Sequence, residues 1–423
     1  MIDFGKVCVK KISIILYNSL FYPLKNPPIA FDIESIIYPI TPLPKFPKPF
    51  VKEDINKKEF DAGTLLKLDI FRRCFREWFP VFLHAKGIER IFIFDLFAGS
   101  GYDAAGNPGS PIILLQESRG AENQHCLRLR DHRDLQVVYG FNEKKKEKSE
   151  TLKNNVADFF SGCQASCPLS NTECVLKKRA FVLTDTFKSI LERPKFLSTL
   201  QNPRYAKFIL LDQYGVKEVN EDVFKTLVSS PKTDFIFFIT SSTIRRFAEH
   251  PAIKKYFETA KIDFANSTAK EAHRLIAEYY KSLIPEGVEY FLHSFTIRKD
   301  SNYYGLIFGS SHSLGMEKFL HACWKEDPYS GDSNCNLDND WPEDTLFANR
   351  EETVKKNRVK TEIKTMVMSG AIVNNVEGLF YALRRGCEPK IFVDVIDELL
   401  KEGEIRVSKE FNRTATKIHC VKR

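Results

Sequence analysis

No apolar run in this chain approaches 18 residues, the length at which a hydrophobic segment becomes a candidate transmembrane helix. The stretch 10–24 has basic residues ahead of an apolar patch, as a secretory signal does. Tyr17 and Asn18 interrupt that patch, however, and no small-residue cleavage site follows it. We therefore predict a cytoplasmic protein that does not contact a membrane.

The cysteines follow no disulfide or zinc pattern. Ten of them are scattered over 423 residues, and a chain of this length needs no disulfide framework. Only Cys163, Cys167 and Cys174 cluster, whereas a closed structural zinc site needs four ligands. Cys126 or His132 could supply the fourth ligand, but the spacing matches no strong zinc template. We predict no bound metal, with zinc as the alternative to free thiols.

A Gly-x-Gly-x-x-Gly fingerprint is also missing, which counts against a nicotinamide-dependent oxidoreductase. In its place stands RIFIFDLFAGSGY, where apolar residues lead into Asp95 and a turn follows around Phe97, Gly99 and Gly101. A run without polar alternation that ends in a Gly turn is typical of a strand buried in a parallel sheet. An acid at such a strand end can accept from a ribose or amino group of a nucleotide. The alternative is an ordinary strand-to-helix turn.

The later strands repeat this arrangement. Apolar runs lead to acids at Glu143, Asp185 and Asp212, a fifth run covers 234–240, and a β-hairpin at 288–308 closes the series. We predict an α/β fold with a Rossmann-like class I methyltransferase sheet, mostly parallel with a terminal antiparallel hairpin. By analogy with that fold, the expected cofactor is S-adenosyl-L-methionine. Its predicted binding residues are Asp95, Phe97, Gly99, Gly101, Glu143 and Asp185.

Composition divides the chain into four parts. Residues 1–60 are rich in proline interleaved with aromatic and β-branched residues, typical of an ordered, extended arm. Residues 61–325 hold the predicted methyltransferase domain. Residues 326–348 are acidic, contain proline and lack periodicity, which indicates a linker. Residues 349–423 have the pattern of three helices and a short hairpin, which predicts a C-terminal winged helix-turn-helix domain.

Three local predictions concern the helices. Apolar residues at helical spacing predict a helix over 64–83, with Pro80 marking its end. A single helix is expected near 242–257. Ser110 followed by Pro111 predicts a helix N-cap with proline at the first helical position.

The charge of the C-terminal part leaves its partner open. The chain carries a net charge of +8, and residues 350–423 hold 16 Lys and Arg against 11 Asp and Glu. This excess favours contact with a polyanion, although a solvated surface explains it nearly as well. The third helix, which would enter a DNA groove, is acidic instead. DNA or RNA contact and protein docking both remain open, with the candidate basic residues being Lys355, Lys356, Arg358, Arg406 and Lys409.

The sequence Asp212-Gln213-Tyr214-Gly215 follows the fourth strand, where a methyl group would be transferred. Amino-methyltransferases place an acid, asparagine or serine here, then two prolines and an aromatic residue. The side chain and a backbone carbonyl accept from the target amine while the aromatic ring stacks on a flipped base. Asp212 and Tyr214 keep the acid and the ring, whereas Gln213 removes the rigidity of proline. The alternative is an acid that simply ends a strand.

These features together resemble the three-Cys-motif partner (TcmP) family over roughly residues 62–420. The helix over 67–80, with Arg72-Arg73 and Trp78-Phe79-Pro80, is similar to the family's opening helix. The chain departs from the family's Gly-Pro-Gly and Asp-Pro-Phe-Gly patterns at Ser100 and Gln213. The motifs that carry the resemblance are Asp95-Leu-Phe-Ala-Gly99, Gly109-Ser-Pro111, Glu143, Asp212-Gln-Tyr-Gly215, Ser311-His-Ser-Leu-Gly-Met-Glu-Lys318 and Trp324.

The resemblance implies a methyltransferase-like domain followed by a winged helix. It also implies a partner protein that carries three clustered cysteines and is similar to radical S-adenosylmethionine enzymes. We therefore predict an S-adenosylmethionine-dependent methyltransferase that acts on nucleic acid or a nucleotide-like substrate together with that partner. The alternative is a catalytically inactive methyltransferase-like scaffold that docks a partner enzyme or nucleic acid.

Overall fold

The central feature of the protein is a seven-stranded sheet with the strand order 3-2-1-4-5-7-6. The computed structural model describes residues 58–132, 134–165, 167, 174–213, 217–341, 353–407 and 421–422. The predicted arm at 1–60 lies outside these residues except for its last three. The sheet strands are β1 Arg90–Asp95, β2 Gln136–Asn142, β3 Ala180–Leu183, β4 Tyr205–Leu211, β5 Thr233–Ile239, β6 Phe291–Lys299 and β7 Asn302–Ser310.

Strands β1 to β5 are parallel, and β7 pairs antiparallel with both β5 and β6. Apart from the half-buried Arg90 and the carboxyl-end Asp95, β1 is an unbroken apolar run that is buried on both faces, as a central parallel strand requires. The strand order reverses between β1 and β4, so a crevice is expected at their carboxyl ends. The sheet predicted from the strand pattern, with its terminal hairpin, is thereby confirmed.

Helices cover both faces of the sheet. In the described part of the chain, one α-helix precedes β1, nine lie between β1 and the hairpin, and four follow the hairpin. Their bounds are α1 Ala62–His84, α2 Ser110–Arg119, α3 Gln124–Asp131, α4 Lys146–Ala165, α5 Phe187–Leu191, α6 Pro194–Gln201, α7 Glu221–Val228, α8 Ser241–Arg246, α9 Pro251–Lys254, α10 Ala272–Ser282, α11 Ser313–Glu326, α12 Val354–Ser369, α13 Asn375–Arg384 and α14 Lys390–Glu402.

Helix α1 confirms the helix predicted over 64–83 but does not end at Pro80. Asp61 caps the helix by accepting from the Thr64 N–H, and the helix continues through Pro80 to His84. Proline removes one backbone hydrogen bond. The last turn nevertheless persists, since Phe79 and Leu83 on either side of Pro80 are buried in the core.

Two other helix predictions need correction. The helix predicted near 242–257 is two short helices, α8 and α9, because the chain leaves the helical conformation at Phe247. The N-cap of α2 is Gly109 rather than Ser110, which is the first helical residue and is followed by Pro111. Gly109 provides no side-chain cap, and the buried Ser110 hydroxyl lies near the Asp95 carboxylate at the end of β1.

The C-terminal helices share one hydrophobic core with the sheet. Helices α12, α13 and α14 are followed by a two-stranded antiparallel sheet of β8 Arg406–Val407 and β9 Val421–Lys422. Phe291 of β6 contacts Phe380 of α13 with ring centroids 5.1 Å apart. The Trp324 indole of α11 donates to the Gly386 carbonyl at 2.9 Å. These contacts join the two predicted domains over a continuous apolar surface.

The stretch predicted as a linker at 326–348 is packed where the structure describes it, up to Trp341. Asp327 is buried, and its carboxylate accepts from the Ser330 hydroxyl at 2.6 Å. Ser333 is buried as well and forms a β-bridge with Thr296 of β6. This part of the chain therefore extends the edge of the sheet, which the absence of periodicity could not indicate.

Candidate active site at the carboxyl edge of the sheet

The acids predicted after the first four strands lie along one edge of the sheet. Asp95, Glu143, Asp185 and Asp212 follow the carboxyl ends of β1, β2, β3 and β4, in the spatial order β3, β2, β1, β4. Parallel strands end at the same edge, so the alternation of strands and helices was sufficient to predict this grouping.

Asp95 is fully buried at the centre of that edge. Its Oδ1 accepts from the Phe97 N–H at 3.2 Å, while Oδ2 is buried and accepts no hydrogen bond from the described residues. Burial raises the pKa of Asp95 to about 7, although the nearby Ser110 hydroxyl and the Phe97 N–H lower it in part. A buried acceptor without a partner is a costly arrangement unless a ligand completes it.

The glycine turn after β1 has an open side and a packed side. Gly99 and Gly101 both have positive φ, at 63° and 95°. A Cβ on Gly99 would meet no atom within 4 Å, whereas one on Gly101 would lie 3.2 Å from Leu152 of α4. Asn155 of α4 donates to the Ser100 carbonyl at 2.6 Å and fastens the turn. Gly99 thus faces open space, whereas the absence of a side chain at Gly101 allows α4 to pack against the turn.

Asn142 holds together the loops that carry three of the acids. Its buried side-chain amide donates to the carbonyls of Leu96 and Asp185, and its oxygen accepts from the Asp185 N–H. The sequence gives no reason to single out Asn142 beyond its position next to Glu143, because a lone Asn carries no distinctive signal. Glu143 itself is half-buried and accepts from the Lys145 N–H at 2.7 Å.

Two other predicted cofactor residues already have partners within the chain. The Asp185 carboxylate forms an ion pair with Arg193, which precedes α6. The Phe97 ring is half-buried and contacts the Phe187 ring with centroids 5.2 Å apart. Both residues border the same edge of the sheet as Asp95.

Asp212 forms an ion pair that sequence reasoning missed. The Lys67 Nζ of α1 lies 2.5 Å from Asp212 Oδ2, and the Lys67 side chain is only 9% exposed. The signal was present, because Lys67 occupies the buried face of α1 at helical spacing with Ile70, Phe71 and Cys74. A lysine on such a face rarely stays buried without an acidic partner.

Gln213, next along the chain, anchors the loop after β4. Its side chain is 1% exposed, and its Oε1 accepts from the N–H groups of Glu218 and Val219 at 3.0 and 3.3 Å. The side chain therefore closes the loop at the position where proline would make the backbone rigid. Tyr214, the second predicted catalytic residue, lies outside the described residues.

Three buried polar atoms at this edge have no partner among the described residues. They are Asp95 Oδ2 after β1, Gln213 Nε2 after β4 and Thr240 Oγ1 after β5. Such atoms are rare in folded proteins and call for an explanation by water, an ion or a ligand. Their alignment along neighbouring strand ends agrees with a polar ligand in the crevice.

The residues predicted to contact nucleic acid differ in their exposure. The prediction that Lys355 contacts nucleic acid needs correction. Lys355 is 5% exposed, and its Nζ donates to the Asp332 carboxylate and the Ser330 carbonyl, both at 2.7 Å. Lys356 is half-buried over the Trp324 ring, and Arg358 and Arg406 are exposed. The remaining candidate, Lys409, lies outside the described residues.

The clustered cysteines form no metal centre in the described part of the chain, where no group of three or more His, Cys, Asp or Glu side chains is arranged to hold a metal ion. Burial raises the pKa of the Cys126 and Cys163 thiols, and the neighbouring thiols add to this effect. A search of the same described residues for a helix long and apolar enough to cross a membrane finds none.

Comparison with protein-family models gives no match, and comparison with curated proteins gives none either. Among solved structures, the chain is similar to Trm1 from Pyrococcus horikoshii in complex with S-adenosyl-L-methionine, with 11% identity, a TM-score of 0.33, and coverage of 86% of this chain and 94% of that one. It is also similar to an O-methyltransferase from Bacillus cereus in complex with SAH, with 13% identity, a TM-score of 0.28, and coverage of 58% and 79%.

A third similar structure is TYW2 from P. horikoshii in complex with MeSAdo, with 13% identity, a TM-score of 0.27, and coverage of 60% of this chain and 65% of that one. All three likenesses are distant. The assignment to the class I methyltransferase fold therefore rests on the strand order and the antiparallel β7, and the resemblance to the three-Cys-motif partner family stays a prediction.

Proposed function

We propose that this protein is an S-adenosyl-L-methionine-dependent methyltransferase that acts on an amine of nucleic acid or of a nucleotide-like substrate. The observation that carries the proposal is the buried Asp95 carboxylate, whose Oδ2 has no partner among the described residues and which stands beside the Lys67–Asp212 ion pair. An acceptor site and a cofactor site would thus adjoin at the strand-order reversal, where ligands bind in such sheets.

The residues at this edge fit the cofactor. Asp95 Oδ2 would accept from its amino group, and the open space beside Gly99 would admit it close to the backbone. Glu143 would take the ribose hydroxyls, and Asp185 would lie near the adenine. When bound, the cofactor supplies a methyl group on a sulfonium sulfur, which leaves as a neutral thioether. Proteins crystallised with S-adenosyl-L-methionine, SAH and MeSAdo appear among the similar structures.

The acceptor would bind at Asp212. Its carboxylate would orient the lone pair of the amine towards the methyl group and take the proton that the nitrogen loses. Tyr214 is proposed to stack on the acceptor ring. The buried Gln213 side chain accepts two backbone hydrogen bonds and so makes the loop rigid without proline. The replacement of the family's proline by Gln213 therefore does not by itself favour the inactive scaffold.

The C-terminal part of the chain is proposed to bind the nucleic acid and the partner protein. Helices α12 to α14 with β8 and β9 are proposed to form a winged helix-turn-helix domain. Arg358, Arg406 and Lys409 would contact DNA or RNA phosphates, and the Lys356 ammonium would join them. The acidic outer face of α14, which exposes Asp397, Glu398 and Glu402, would turn away from a polyanion. It is the proposed docking face for the three-Cys-motif partner.

Calorimetric titration of S-adenosyl-L-methionine into the full chain tests the cofactor site. Wild type and Glu147→Ala, an exposed control on α4, should bind saturably, while Asp95→Ala and Glu143→Ala should lose most of the affinity. Folding of each variant is checked by its thermal unfolding. If folded wild type does not bind S-adenosyl-L-methionine, even with single-stranded DNA and RNA present, the proposed methyltransferase activity is wrong. The alternative of a catalytically inactive scaffold would then remain.

A further inference from the structure

Lys67 has unused hydrogen-bonding capacity at the proposed transfer point. Its ammonium carries three donors. One bonds Asp212 Oδ2 at 2.5 Å, and the ammonium also lies 4.7 Å from the centre of the Phe238 ring. Tyr304 stacks on Phe238 with centroids 5.7 Å apart and supports that ring. Among the described residues no other acceptor bonds Lys67, so at least one of its donors is available to a ligand.

Asp212 is available on its other side. Its Oδ1 accepts no hydrogen bond from the described residues, and its side chain is 24% exposed. Lys67 and Asp212 therefore present one donor and one acceptor side by side, in a fixed geometry set by α1 and β4. A site of this kind binds a ligand edge on which an acceptor atom stands next to a donor.

We propose that Lys67 is a substrate-binding residue that recognises the base to be methylated, an inference that rests on the proposed function. Asp212 accepts from an exocyclic amine, and Lys67 donates to the unprotonated ring nitrogen beside that amine. Adenine and cytosine offer this edge in a flipped base. Guanine offers the same edge through its amine and the unprotonated N3 beside it, whereas uracil and thymine have no amine. The substrate class is therefore the exocyclic amine of adenine, cytosine or guanine in single-stranded or flipped-out nucleic acid.

The first test measures methyl transfer from isotope-labelled S-adenosyl-L-methionine to unmodified single-stranded RNA and DNA of mixed sequence, followed by digestion to nucleosides. Wild type should label the exocyclic amine of adenine, cytosine or guanine. Lys67→Met should lower kcat/KM roughly 10- to 100-fold, as expected for a lost hydrogen bond to a charged group, with the SAH dissociation constant unchanged. Lys67→Arg, which keeps a donor, should recover part of the activity.

The matched control is Lys299→Met, which removes an exposed ion pair with Asp61 at the start of α1. It should leave both activity and SAH affinity at the wild-type level. If Lys299→Met lowers activity as much as Lys67→Met does, the loss of activity results from a shift of α1. The proposed role of Lys67 in substrate binding is then wrong.

A substrate that lacks the ring nitrogen distinguishes loss of the Lys67 hydrogen bond to the base from a structural effect of the Lys67 substitution. Replacing the ring nitrogen beside the amine by carbon should cost wild type about as much as Lys67→Met does. It should cost Lys67→Met nothing further, because the two changes remove the same bond. Additive losses would overturn the proposal. Label on ribose, on phosphate or on a ring atom of a base would overturn it as well, and so would the absence of any labelled nucleoside while SAH binds. Failure of wild type to bind SAH would instead overturn the proposed function itself.

Discussion

Asp95 links cofactor binding to pH at the scale of a single residue. Because its pKa is raised to about 7, the ligand-free protein carries a proton on this carboxyl below that pH. An ammonium ligand needs the ionised form, so binding must expel the proton in acid. We expect SAH affinity to rise nearly tenfold per pH unit up to about pH 7 and then to level off, as measured by calorimetry.

The control for this prediction is Asp95→Asn, which removes the titrating group while keeping the size of the side chain. Its SAH affinity should be low and nearly independent of pH across the same range. A wild-type affinity that does not vary between pH 5.5 and about 8 would contradict the assigned role of the Asp95 carboxylate.

The same carboxyl should lower the stability of the ligand-free protein as pH rises. Its folded-state pKa lies above the unfolded value of 3.8, so the folded state binds the proton more tightly. The contribution of this proton binding to the free energy of unfolding is fully present below pH 3.8 and is lost as pH rises through about 7. Asp95→Asn should therefore be more stable than wild type at pH 8 by about 2–4 kcal/mol. Urea unfolding at pH 5 and pH 8 would reveal whether the difference grows with pH.

The element that shapes the site is the turn between β1 and α2, and its two glycines should respond differently to mutation. Gly99→Ala places a Cβ in open space at a φ of 63°, so it should cost only about 1 kcal/mol of stability while weakening SAH binding. Gly101→Ala adds contact with Leu152 at 3.2 Å to its positive φ, so it should cost about 2–3 kcal/mol.

Urea unfolding and SAH titration of the two glycine variants check this contrast. If Gly99→Ala binds SAH as wild type does, the space beside Gly99 does not hold the cofactor. If Gly101→Ala is no less stable than Gly99→Ala, α4 is not packed against the turn as the distances indicate.

At the scale of the whole molecule, a buried ion pair joins the C-terminal helices to the sheet. Lys355 of α12 bonds the carboxylate of Asp332, which also lies 3.4 Å from His293 of β6. Burial alone would raise the pKa of Asp332, but Lys355 and His293 hold it well below its usual range. The stabilisation is therefore present above the unfolded pKa of 3.8 and is lost as pH falls below it.

Asp332→Asn leaves the Lys355 ammonium buried without its counter-charge and should cost about 3–5 kcal/mol at pH 7. The matched control is Asp61→Asn, whose ion pair with Lys299 is exposed and should matter by less than about 1 kcal/mol. Urea unfolding followed by far-UV circular dichroism measures both. Equal effects of the two substitutions would contradict a joining role for Lys355.

The sequence by itself determined the sheet and the group of acids. Unbroken apolar strands followed by acids at Asp95, Glu143 and Asp212 require burial in a parallel sheet, and parallel strands end at one edge. That information is local and periodic, so it can be read without tertiary contacts.

Only the tertiary structure decided which charges meet. Lys67 and Asp212 are 145 residues apart. The buried face of α1 indicates that Lys67 needs an acidic partner, but nothing in either segment identifies Asp212 as that partner. Lys355 shows the converse, because its basic neighbours suggested a phosphate contact while Asp332, in the supposed linker, buries its charge. Long-range pairing and burial depend on how elements pack, and a pattern within one element does not contain that information.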